Sequence, residues 1–120
     1  MKANELRIGN YVNRVYAPYG NRTGQSFVEK IESGNSIDNL TLPSSFCEGI
    51  PLSEEWLVRF GFKEPERGYE REFFYEGFFC VRENKRDKSI YYWGDVRLLY
   101  VHQLQNLYFA LTGQELTLNN

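Results

Sequence analysis

An α+β domain, built as a strongly twisted or barrel-like antiparallel sheet with two short helices packed on it, follows from three features of this 120-residue sequence. Short runs of β-branched and aromatic residues recur between turns containing Gly, Asn or Asp. Two segments carry helical periodicity and each stops at a glycine. Nine Tyr, nine Phe and two Trp give an aromatic content that suits strands and the edges of a core, where a tyrosine ring is buried while its hydroxyl keeps a partner. The length fits one domain, residues 1–120, and a chain this long buries enough surface to fold without disulfides or a structural metal.

Residues 6–12 alternate apolar and polar side chains around Gly9, and Tyr11–Tyr16 continues as a strand. Pro18, Gly20, Asn21 and Gly24 mark a hairpin loop, after which Phe27, Val28 and Ile31 make a second short strand. A turn at Ser33-Gly34-Asn35 leads to a third candidate strand over residues 36–42, and residues 43–51 read as irregular. The first helix then starts at Ser53, whose hydroxyl can cap it. Glu54 and Glu55 favour its positive end, Leu52 and Leu57 have hydrophobic-staple spacing, and Gly61 can close it.

Residues 69–100 read as a four-strand meander. Strands over residues 69–74 and 78–83 flank Glu76-Gly77, and a three-residue loop that sets Glu70 opposite Arg82 avoids like charges across the pair. A charged loop over residues 84–88 follows. Strands over residues 90–93 and 96–100 then flank the turn Gly94-Asp95. The second helix runs over Val101–Thr112 and stops at Gly113, with Val101, Leu104, Leu107, Tyr108 and Leu111 on one arc that docks on the sheet. Leu116 and Leu118 suit one more edge strand.

Fourteen Lys and Arg against sixteen Asp and Glu leave a formal charge of −2, so no global field draws the protein to phosphate backbones, and nucleic acid would have to meet a local patch. Cys47 and Cys80 have neither the number nor the spacing of a disulfide framework or zinc site and read as reduced thiols. With no apolar stretch behind the N-terminus and no run of membrane-spanning length, the expectation is a cytoplasmic protein without membrane contact. Phosphate loops, dinucleotide fingerprints, calcium loops and metal-protease motifs are absent. No catalytic constellation, cofactor or metal is therefore expected, and His102, the single histidine, has no nucleophile or carboxylate beside it in sequence.

Two surfaces remain. Opposite the apolar arc of the second helix lie His102, Gln105, Asn106 and Phe109, and a phenylalanine on a polar face points either to a neighbouring segment that covers it or to a contact with a protein partner or a second copy. Arg82, Lys85, Arg86 and Lys88, next to Tyr92, form the alternative, because a basic loop beside strand aromatics can hold a phosphate backbone and stack bases.

Three segments carry a family resemblance. They are the opening Met1-Lys2-Ala3-Asn4-Glu5-Leu6-Arg7-Ile8-Gly9-Asn10, the central Ile50-Pro51-Leu52-Ser53-Glu54-Glu55-Trp56-Leu57 with Phe60-Gly61-Phe62, and the closing Val101-His102-Gln103-Leu104-Gln105-Asn106-Leu107-Tyr108-Phe109-Ala110-Leu111-Thr112-Gly113. Together they resemble an uncharacterised family of short proteins from Bacteroides-type gut bacteria, often found in prophages or integrated mobile elements. The resemblance covers about a third of the chain, since no match stands out in the meander or the loop-rich region near the N-terminus, and it carries no functional residues. It implies a bacterial cytoplasm and an accessory role in a mobile element. The functional expectation is a non-catalytic interaction module that binds a protein partner or itself, with nucleic-acid binding through the basic loop as the alternative.

Overall fold

The computed structural model describes residues 6–16, 26–31, 45–64 and 71–118. They form an α+β structure of two antiparallel sheets and two helices. In the first sheet β1 (Tyr11–Tyr16) lies between β2 (Ser26–Lys30) and β3 (Ser45–Glu48). The second is the expected meander, β4 (Glu72–Tyr75), β5 (Phe79–Glu83), β6 (Tyr91–Trp93) and β7 (Val96–Leu98), in sequence order. Helix α1 spans Glu54–Arg59 between the sheets in sequence, and α2 spans Val101–Thr112.

The strands divide between two open sheets where the sequence suggested one curled sheet, and residues 50–52 mark where pairing between them stops. Pro51 and Tyr100 form an isolated antiparallel bridge, flanked by bonds from the Leu52 N–H to the Leu99 carbonyl (2.9 Å) and from the Val101 N–H to the Ile50 carbonyl (2.8 Å). The bridge does not grow into a ladder, because the Leu99 N–H donates to Gln103 Oε1 and Val101 begins helix α2. Strand β3 falls in the segment read as irregular. Its pairing with β1, from Asn13 with Glu48 to Tyr16 with Ser45, overrides a weak local pattern. The third candidate strand over residues 36–42, the loop around Pro18–Gly24 and the turn at residues 33–35 lie outside the described residues.

Helix α1 is capped as its sequence indicates. Ser53 is extended and its Oγ accepts from the Trp56 N–H at 3.4 Å. At the other end Gly61 has φ 99°, a left-handed conformation that a side chain would strain. The Gly61 N–H donates to Val58 and the Phe62 N–H to Leu57, both at 2.9 Å, which is the double bond of a Schellman ending. Phe62 is thereby folded back into the core that holds Trp56, Leu57 and Phe60, with its ring 5.3 Å from Tyr75, and the Tyr11 ring lies 5.8 Å from Trp56.

Strands β4 and β5 are joined by the expected three-residue loop, set one residue further along the chain. Arg82 therefore faces Glu72 and not Glu70. This register sets Phe73 across from Val81 and Tyr75 across from Phe79, keeping the apolar residues of both strands on one face. Phe78 is left exposed in the turn. Between β6 and β7, Gly94-Asp95 forms the two-residue turn, with Trp93 opposite Val96.

Helix α2 starts and stops where periodicity places it. The Gln103 side-chain oxygen turns back to accept from the Leu99 and Tyr100 N–H groups at 2.8 and 3.1 Å, and the Gly113 N–H closes the last turn on the Phe109 carbonyl at 2.8 Å. Val101, Leu104 and Tyr108 are buried in the main core with Phe73, Phe79, Val81, Tyr91 and Leu98 of the meander. Tyr108 meets both Tyr75 and Phe79 edge-on at 5.2 Å. Leu111, placed on the core arc by periodicity, is instead 50% exposed. Leu116 is buried against the same core, but residues 114–118 form no strand.

Candidate binding surfaces

The face of α2 opposite its apolar arc does not stand open. Gln105 is 0% exposed and His102 3%, so neither is available to a partner in this structure. The covering element is the chain's own segment 6–11. Gln105 uses both ends of its amide there: Oε1 accepts from the Tyr11 N–H at 2.9 Å and Nε2 donates to the Gly9 carbonyl at 2.9 Å. Half-buried Asn106 accepts through Oδ1 from Asn10 Nδ2 at 2.8 Å and from Arg7 Nε at 3.2 Å. Arg7 also forms an ion pair with Glu115, and its guanidinium lies over the Phe109 ring at 4.1 Å. Phe109 keeps 38% of its surface exposed.

Of the four residues proposed for a partner surface, two are thus interior, one is engaged within the chain and only Phe109 is at the surface. Helical periodicity assigns a polar side chain to solvent, but a side-chain amide has an acceptor oxygen and a donor NH2 and can be buried against strand backbone at little cost when both ends are satisfied. His102 stacks on Tyr100 at 5.7 Å, beneath Gly49.

The basic loop produces a different result. Arg82, Lys85, Arg86 and Tyr92 line one concavity of about 510 Å³ on the meander, together with Glu83, Asn84 and Asp95. Lys88 is exposed on the same loop but does not line it. Local hydrogen bonds shape the loop. Asn84 Oδ1 accepts from the Arg86 and Asp87 N–H groups, each at 2.9 Å, and the Asn84 N–H donates to the Ile90 carbonyl at 2.8 Å. Asp87 accepts from the Ser89 hydroxyl and N–H, which hold its carboxyl below the usual range. Arg82 reaches across the sheet to the Gly94 carbonyl at 3.3 Å.

Charge in this concavity is more one-sided than the sequence implies. Glu83 is 7% exposed and turned inward, accepting from the Tyr91 hydroxyl at 3.3 Å and lying 3.8 Å from Arg71. Three cations therefore line the cleft with two carboxylates, the exposed Asp95 and the inward-turned Glu83. Tyr92 lies opposite Arg82 on the sheet and shares its outward face.

Elsewhere, Arg71 gathers Glu54, Glu64 and Glu83, with hydrogen bonds of 2.6–3.0 Å to the first two that push its pKa up. Half-buried Cys80 sits near Glu72, at 3.4 Å, and burial first and that carboxylate second push its thiol up to about 11, the direction of an unreactive thiol. The side chain of Cys47 lies outside the described residues. Among the described residues no group of three or more His, Cys, Asp or Glu side chains is placed to hold a metal ion, and no helix is long and apolar enough to cross a membrane. No family model, curated protein or solved structure matches the chain.

Proposed function

We propose that the protein is a non-catalytic binding module that holds single-stranded nucleic acid on the outer face of its four-stranded sheet. The observation that carries this reading is the convergence of Arg82, Lys85, Arg86 and Tyr92 on one open concavity. Cations spaced around an aromatic ring suit a strand whose phosphates need neutralising and whose unpaired bases can stack; a duplex keeps its bases from such a ring. With a formal charge of −2 on the whole chain, attraction depends on this local patch, and binding weakens as salt rises. The resemblance of the opening, central and closing segments adds a context to this reading, an accessory role for a bacterial mobile element in the cytoplasm.

Fluorescence anisotropy with labelled oligothymidylate tests the proposal. Lys85→Glu with Arg86→Glu is expected to weaken binding by about tenfold or more, and Tyr92→Ala by about fivefold or more, with the fold intact by circular dichroism. Affinity that ignores salt, or that survives both changes, would overturn the reading. A second reading, association with a protein partner or a second copy, is favoured by the exposure of Phe109 and Leu111 at the end of α2. A protein that ignores oligonucleotides but forms a complex dissolved by Phe109→Glu would favour it.

A further inference from the structure

We infer that the nucleic-acid site has a second part, a groove between β7 and the first half of α2 that takes the continuation of the same strand, with Arg97 as its phosphate contact. The inference rests on the proposed function. Arg97 stands directly opposite Tyr92 in the β6–β7 pair, one strand further toward the sheet edge than the concavity described above. Neighbouring strands are about 4.8 Å apart, so a ligand stacked on Tyr92 is one short step from Arg97. Arg97 also lines a groove of about 420 Å³ with Val96, Leu98, Gln103 and Leu107. The turn Gly94-Asp95 borders the first depression and β7 the second.

The chemistry of the groove suits a nucleotide. Gln103 Oε1 is held by the Leu99 and Tyr100 N–H groups, which leaves the Nε2 hydrogens as the donor end of that side chain. Arg97 adds a guanidinium. These donors are bordered by the apolar Val96 and Leu107, against which a sugar or base can lie. No acidic residue occupies the first turn of α2, so the positive end of the helix dipole is not neutralised from within the helix. A phosphodiester strand uses all three features: charge for Arg97, acceptors for Gln103 and an apolar face for the walls.

The test compares oligothymidylates of about four and about eight nucleotides, lengths at the short end of single-strand sites. For the native protein the longer strand is expected to bind about tenfold more tightly, with a log–log salt slope steeper by about 0.7 for one further phosphate contact. Arg97→Ala is expected to remove most of both differences, with a smaller loss for the shorter strand. If the shorter strand binds but length brings no gain, or the gain survives Arg97→Ala, the second part of the site is wrong and the concavity stands. If neither strand binds, both proposals fall.

Discussion

Gln105 shows most plainly what a single residue does here. Its side chain replaces a stretch of backbone pairing, with one amide answering the Gly9 carbonyl and the Tyr11 N–H, and so joins α2 to the start of the first sheet. Gly49 has the opposite part, since it works by what it lacks. A Cβ there would lie 2.7 Å from Cδ1 of Tyr100 and 3.2 Å from Cε1 of His102, inside the stack those two rings form. Gly49→Ala is therefore expected to cost about 1–3 kcal/mol, as overpacking does, read from urea denaturation with an unchanged m-value. A neutral result would mean that the Tyr100 ring moves aside freely.

At the scale of elements, α2 is buried on two faces that differ in kind: an apolar one against the meander, and a polar one against residues 6–11. Gln105→Leu keeps the volume but strands the Tyr11 N–H and the Gly9 carbonyl, at an expected cost of about 2–3 kcal/mol. Hydrogen exchange should localise it. Amides of β1 and β2 are expected to lose protection while those of β5 and β6 keep theirs, and uniform loss across both sheets would contradict the division drawn here. The boundaries of both helices were legible in the sequence, because Ser53, Gly61 and Gly113 act through local geometry alone. The second face of α2 was not. Gln105 is interior because of Gly9 and Tyr11, about 95 residues distant, and His102 lies against Tyr100 and Gly49; nothing within the helix records Gly9, Tyr11 or Gly49. The basic concavity fared better, since Arg82, Lys85, Arg86 and Tyr92 belong to adjacent strands and the loop joining them. Short-range pairing brings such residues together. The shielding of Glu83 by Tyr91 and Arg71 again required the fold.

For the molecule as a whole, the buried ionisable groups set a clear alkaline limit. Burial raises Cys80 from an ordinary 9.0 to about 11, and burial with the nearby Glu83 raises Tyr91 above its ordinary 10.0. Both groups favour the protonated form more strongly in the folded chain. Their contribution is complete below pH 9, and it is lost as pH rises, because the unfolded chain releases protons that the folded chain still holds. The thermal midpoint is accordingly expected to fall between pH 9 and 11, and the combination of Cys80→Ser with Tyr91→Phe to flatten that fall. A profile equally steep in the double variant would place the sensitivity elsewhere.

The tie between Arg7 and Glu115 bears on how the molecule is made. Those residues are 108 positions apart, so on the ribosome Arg7 must wait for all of the chain between them to be translated before its partner exists. Until then the opening segment has no helix to clasp, and the meander can fold ahead of it. Closure of so long a circuit comes late in biogenesis, and a nascent chain arrested before α2 emerges carries its first sheet unclasped.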